Sequence, residues 1–465
     1  MMTLSLAVRN LLRNRRRSLA TLLAMAIGSA SILLFGGYSA NINYTMHTEY
    51  VQTGGHLQIQ HRDFYLYGSG NPTAYGIADY DQIIAAIQGD EVLRGMVLVA
   101  TPTLQFGGIA GNYAANVSRT IIGNGLVAQD INRMRRWNDF NLPSVFPAFA
   151  LEGAALDAAI VGTGVARVLQ LCDALKIARC PKPEKDQKPT GKALPDDIAQ
   201  LGLQEAPGAA ATGTSSARRI EVLAGNSKGA PNVTSLEVIR AEEQGFKELD
   251  EVYVMMHLAR TQQLIYGRSA PKVTSIILQL RHSAQIPAAT ARLAPILAKF
   301  SSSQPLAVLD FRTLNPFYVQ TIQLFDTIFG FIFALIGAIV LFTVSNTMNT
   351  AVVERTVEIG TLRAIGLRRG GIRRLFVTEG ALLGLCGALL GVVVALVLSG
   401  IGNQMGLTWS APGSVEPLPL TLRVWGETGM ILGTTFGLIC IAVLSAWWPA
   451  YRAAQLNVVD ALRHV

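Results

Sequence analysis

Charge is scarce in this chain, and lysine is absent from the segments that flank its apolar runs. Only 15% of the 465 residues are Asp, Glu, Lys or Arg, against about 25% in an average soluble protein. No lysine precedes Lys176 and none follows Lys299. The basic residues beside the apolar runs are arginines: Arg9, Arg13, Arg15, Arg16 and Arg17 before the first, and Arg355, Arg363, Arg368, Arg369, Arg373 and Arg374 between two others. The net charge of +8 could suggest nucleic acid, but no basic module interleaved with aromatics is present, which argues against that partner. Basic clusters flanking apolar runs are topology signals instead.

Other absences exclude more. No Ser/His/Asp or Cys/His arrangement stands out, so nothing points to covalent catalysis. His47, His56 and His61 are spaced nine and five apart, which does not match a helical zinc site; they read as ordinary surface or strand histidines, and no metal is expected. The apolar runs hold almost no ionisable residue beyond Asp326 and Glu379. That argues against a proton-coupled transporter and fits a machine whose substrate does not travel through the bundle. No G-x-x-x-x-G-K-[ST] loop occurs; GNSKGAP at 225–231 lacks the Lys-Ser/Thr ending. The chain is therefore expected to bind no nucleotide in that way. Of four cysteines, Cys386 and Cys440 lie in apolar runs and read as small core residues. Cys172 and Cys180 are eight apart. In an oxidising compartment they can form a disulfide at the base of a Lys/Pro-rich segment, with two free thiols as the alternative.

What is present is clustered hydrophobicity. Half of the residues are hydrophobic, and they fall in membrane-length runs. The fold class expected is an integral membrane α-helical protein with four transmembrane helices, and a large extracytoplasmic α/β domain inserted between helices 1 and 2. Residues 1–17 form a basic amphipathic lead, with Leu4, Ala7, Val8, Leu11 and Leu12 on one face; the start of the first span is the alternative reading. Residues 18–40 form the first span, favoured as an uncleaved anchor over a signal peptide with a weak site at Gly37 and Ser39. The α/β domain covers 41–318, with a flexible insertion near 172–218. GHLQIQ and KVTSIILQL suggest strands, and GTGVARVLQL and TARLAPILAKF suggest helices. The second span with an outer stalk covers 319–349, a cytoplasmic loop 350–374, the third span 375–399, an outer loop 400–427, the fourth span 428–449 and a tail 450–465. The arginine distribution puts both termini and the 350–374 loop in the cytoplasm, and the large domain outside.

Two spans carry small-residue repeats: Gly380, Gly384, Gly387 and Gly391 in one, and Gly429, Gly433 and Gly437 in another. They imply a tight seam between spans or between two subunits. Between the second and third spans, VERTVEIGTLRAIG reads as a short helix over about 353–365, ended by Gly366. Glu354 and Glu358 share one face; Arg355, Ile359 and Arg363 form a neighbouring ridge, with Leu362 adding apolar surface. Spacing alone leaves open a docking helix or a solvated loop.

ERTVEIGTLRAIGLRR resembles the signature of the FtsX-like/MacB-like permease family of ABC transporters. LAVRNLLRNRRRSLATLLAMAIG and PAYRAAQLNVVDALR resemble other segments of that family, with Val458 where the family often has proline. GHLQIQ after the first span is similar to lipoprotein-releasing permeases. The resemblance covers both membrane parts; the outer domain matches in outline. It implies that the short helix is the coupling helix, with Glu354, Arg355, Glu358, Ile359, Leu362 and Arg363 as ATPase contacts. It implies no cofactor on this chain, ATP and Mg on a separate ATPase subunit in two copies, and a second permease copy or a related permease. Membrane lipids and a periplasmic chaperone or adaptor complete the implied partners. The expected location is a bacterial inner membrane. The expected role is extraction or export of a hydrophobic substrate, a lipoprotein or lipid, at the outer leaflet. The alternatives within the family are signalling to cell-wall hydrolases, and drug or peptide efflux.

Overall fold

The computed structural model describes residues 2–13, 15–142, 148–177, 217–245, 247–300, 304–409 and 418–456. The chain divides into two compact units. One comprises Met1–Met46, Phe317–Trp409 and Leu418–Val465, and the other is built from His47–Pro316.

The first unit is helical. A leading helix, Met2–Arg13, is followed by span helices Arg15–Gly54, Pro316–Glu354, Arg369–Gln404 and Thr428–Gln455. All four are apolar enough and long enough to cross a bilayer. The shortest has 28 residues, about 42 Å of helix against a hydrocarbon core of about 30 Å. The first runs on as helix well past residue 40, where the apolar run ends, because nothing in NINYTMHTEYVQTG breaks a helix before Gly55, whose φ is +70°. The core of this unit is Met25, Ile32, Val340, Val344, Phe376, Leu383, Leu438, Ala442 and Ala446. The outward faces carry Phe331, Phe342, Leu432 and Phe436, more than 65% exposed, as expected where the solvent is lipid.

The second unit is a mixed sheet covered on both faces. Its strands among the described residues are β1 Leu57–His61, β2 Val97–Asn112, β3 Val117–Leu126, β4 Ala158–Gly162, β5 Arg219–Gly225, β6 Pro231–Glu242, β7 Tyr253–His257, β8 Ser275–Leu280 and β9 Leu306–Asp310. Their order is β3-β7-β4-β6-β5-β2-β8-β1-β9, and β3 also pairs with β2. That second pairing closes β2, β3, β7, β4, β6 and β5 into a ring. Strand β2 makes this possible because its first half pairs with β8 and its second half with β3 and β5.

The period-2 alternation of strand side chains sorts the strand residues between two cores. Ala159, Val161, Val254, Met256, Ile276 and Leu278 enter the larger one with Phe106, Val165, Leu236 and Leu293. Ala158, Ile160, Met255 and Ile277 enter the smaller one with Met134, Phe149 and Leu151. This explains why β4 and β8 are apolar or buried at every position rather than at alternate ones. The two segments that read as strands, GHLQIQ and KVTSIILQL, are antiparallel neighbours, with Leu57 opposite Leu278.

Candidate coupling site

The span helix Pro316–Glu354 stops at Arg355, whose φ of −109° and ψ of 18° leave the helical region. A new helix, Thr356–Ala364, follows at once. It ends in a Schellman arrangement. Gly366, at φ +105°, lets its own N–H donate to Arg363 O and the Leu367 N–H donate to Leu362 O. Arg368 then precedes the third span helix, Arg369–Gln404.

The two sides of the short helix differ sharply. Val357, Thr361 and Ala364 recur at helical spacing on the exposed side, continued by Ile365 and Leu367. Ile365 is 80% exposed. The other side is buried: Ile359 is 3% exposed and Arg355 6%. The Arg355 guanidinium donates from Nη1 to Glu379 Oε1 at 3.0 Å and from Nε to Glu358 Oε2 at 3.1 Å. Its carbon also lies 5.6 Å from the centre of the Phe376 ring. Glu379, 2% exposed, accepts a further hydrogen bond at 2.6 Å from Asn10 Nδ2 on the leading helix. Arg13 pairs with Glu358, and Arg17 with Glu354 at 3.0 Å. Burial pushes the Glu358 carboxyl up, but the Arg13 and Arg355 guanidiniums outweigh it and hold the group below the usual carboxylate range.

The six residues that the family resemblance implies as ATPase contacts are placed differently from one another. Arg355 and Ile359 face inward and are not available as surface contacts. Glu354 and Glu358 are engaged by arginines of this same chain. Arg363 donates to Leu456 O. Leu362 is half-buried. Spacing missed Asn10, Arg13, Arg17 and Glu379. The available signal was Glu379 itself, since a carboxylate inside an apolar run needs a cation.

A family model for the FtsX-like permease C-terminal domain matches residues 327–458. The chain carries an FtsX-like permease domain. The matched residues include ERTVEIGTLRAIGLRR. The lipoprotein-releasing system transmembrane protein LolC of Neisseria meningitidis serogroup B is 28% identical over 300 residues, 60% of this chain and 69% of that protein. The macrolide export ATP-binding/permease protein MacB of Neisseria gonorrhoeae is 27% identical over 237 residues, 50% of this chain and 33% of that protein. Among solved structures, the periplasmic region of MacB from Actinobacillus actinomycetemcomitans aligns with a TM-score of 0.30 and 11% identity, covering 58% of this chain and 94% of that one.

The glycines of the third and fourth span helices divide into two groups. A Cβ on Gly380 or Gly384 would meet Ala446 Cβ at 2.5 Å or Ala442 Cβ at 2.8 Å, on the fourth span helix. On Gly387 or Gly391 it would meet Met25 Cβ at 2.6 Å or Ser29 Cβ at 2.4 Å, on the first. The third span helix therefore uses one glycine stripe to approach two neighbours. Gly437 packs under Phe333, but a Cβ on Gly429 or Gly433 would meet nothing within 4 Å among the described residues, so those two form no seam there.

The remaining sequence candidates fall as follows. Cys172 is buried and disulfide-bonded; Cys180 lies outside the described residues, as does most of the 172–218 insertion. Cys386 is exposed rather than in a core, and Cys440 is half-buried. His47 and His56 are not surface residues: they are buried and share Ser283, with Nε2 to Oγ distances of 2.8 and 3.1 Å. His61 sits apart, against Tyr75. Among the described residues no group of three or more His, Cys, Asp or Glu is placed to hold a metal.

Proposed function

We propose that this permease couples ATP hydrolysis on a separate ATPase subunit to a conformational change of the His47–Pro316 unit. The work done is extraction or export of a hydrophobic substrate, a lipoprotein or lipid, from the outer leaflet of the inner membrane. One observation carries the reading: between two span helices lies a short helix anchored on one side and presenting an exposed apolar ridge on the other. A ridge of Val357, Ile365 and Leu367 on a loop rich in arginine suits a helix-in-groove contact with a second protein. ATP and Mg belong to that partner in this reading, and two ATPase chains serve two permease copies.

The lipoprotein or lipid assignment draws on the likeness to LolC, which extends over more of this chain than the likeness to MacB. The sparse charge of the spans supports it, because a substrate handled at the outer face needs no polar path through the bundle. In this reading both termini lie in the cytoplasm and the sheet-containing unit in the periplasm, an orientation that the arginine-rich ends and loop support.

Depletion of the chain in its own host tests the substrate. Lipoprotein retained in the inner membrane supports the reading. Chained cells with normal lipoprotein localisation would move it to signalling, and drug sensitivity alone would move it to efflux.

A further inference from the structure

The buried side of the short helix is organised around one guanidinium. Arg355 sits at the break between two helices, so it belongs to neither, and its fork reaches two carboxylates on different elements. Glu358 is on the short helix and Glu379 on the third span helix. Asn10 fixes the second oxygen-rich end of this chain of contacts to the leading helix, and Arg13 and Arg17 reach Glu358 and Glu354 from the same side. The short helix is thus tied on its inner side to the start of the chain and to the third span.

Stability does not account for such an arrangement. Taking Arg355 and Glu379 out of water is expensive, and an apolar pair of similar volume generally holds a fold as well or better. What a bidentate guanidinium supplies is geometry: a planar fork fixes the angle between its two acceptors, which a lysine ammonium cannot do. A small cavity beside it is lined by Asn10, Arg17, Arg355 and Glu379 on one hand and by Leu11, Met348 and Leu383 on the other, and the Arg355 and Glu379 side chains are only 7% and 3% exposed.

We propose that Arg355 is a positioning residue for coupling. Shared between Glu358 and Glu379, it makes the short helix and the third span helix move as one body, so that a push on the exposed ridge reaches the bundle. This rests on the reading of the chain as an ATPase-driven permease. It reassigns Arg355 from a docking contact to a transmission element, and it adds Glu379 and Asn10 to that element.

The test uses the full chain with the ATPase that co-purifies with it, in lipid nanodiscs, with a spin label at Leu398, an exposed position on the third span helix. The wild type should change its label spectrum when ATP and vanadate are added. Arg355→Met and Arg355→Lys should each keep the ATPase bound in wild-type ratio and lose that change. Combining Arg355→Leu with Glu379→Leu should recover the melting temperature and still lack that change, whereas a merely structural role would restore both. Loss of ATPase binding in Arg355→Lys would return Arg355 to docking and overturn the proposal. So would a full ATP response in either single variant. A wild-type chain that retains no ATPase would overturn the permease reading itself, and the proposal with it.

Discussion

Arg355 Nη1 and Glu379 Oε1 lie 3.0 Å apart, and the two side chains are 7% and 3% exposed. They come from opposite ends of a polar loop, and each is the other's answer to burial. Removing Arg355 leaves the Glu379 carboxylate enclosed without its ion-pair partner, which typically costs about 3–5 kcal/mol; removing Glu379 leaves Arg355 with Glu358 alone. Arg355→Leu and Glu379→Leu should each lower the melting temperature in detergent, and the double variant should recover most of the loss. Additive losses in that cycle would mean that the two residues act separately.

The glycine stripe predicts a contrast between positions that look alike in sequence. In Gly391→Ala the new Cβ would fall 2.6 Å from Ala26 O and 2.4 Å from Ser29 Cβ, and a backbone oxygen cannot swing aside. A loss of about 1–3 kcal/mol is expected from such overpacking. Gly433→Ala enters open space and should change thermal stability in detergent little. Equal effects at the two positions would contradict the seam.

Asp250 is a second enclosed carboxylate, 1% exposed, that accepts the backbone N–H groups of Thr163 and Gly164 at 2.8 and 2.7 Å. Asp250→Ala leaves both donors buried and unpaired, at about 1–3 kcal/mol each. Proteolysis under native conditions should cut the β4 region faster in this variant. Unchanged resistance would show that other groups take over the donors.

Acid should loosen the second unit through His56. The Leu280 N–H donates to its Nδ1 at 2.9 Å, so the ring hydrogen is on Nε2, facing Ser283 Oγ. Burial, then the neighbouring His47, lowers its pKa from 6.5 to about 3, against a smaller opposing pull from Asp139. The folded pKa is below the unfolded one, so the unfolded state binds more protons between them. Stability from this group is complete above about pH 6.5 and is lost as pH falls toward 3. Hydrogen exchange of the peptide 275–282, corrected for intrinsic rates, should show protection falling through that window. His56→Gln should flatten the slope.

The parts of the fold that local pattern specifies were readable in the sequence. Four apolar runs gave the spans, Gly366 marked the end of the short helix, and alternating or continuous apolar stretches marked β1 and β8. The inward face of the short helix was not readable. Glutamates at positions 354 and 358 look like a solvent-facing pair, and they do stay partly exposed, but each also pairs with an arginine from the far N-terminal end of the chain, which no window of residues reveals. Likewise, His47 and His56 meet only because helix and strand bring them to Ser283, whose sequence number is more than two hundred higher. The ring closure of β2 and β3 is equally a matter of long-range register, for which no window of residues carries a signal.

The central claim is that an ATPase docks on the exposed ridge of the short helix. A mild-detergent pull-down of the full chain beside its Val357→Asp variant, with mass spectrometry of all that is retained, tests it most directly. The account predicts an ABC ATPase in stoichiometric amount with the wild type, and its loss from Val357→Asp at an unchanged melting temperature. No ATPase on the intact wild-type chain, or full retention by Val357→Asp, would contradict it.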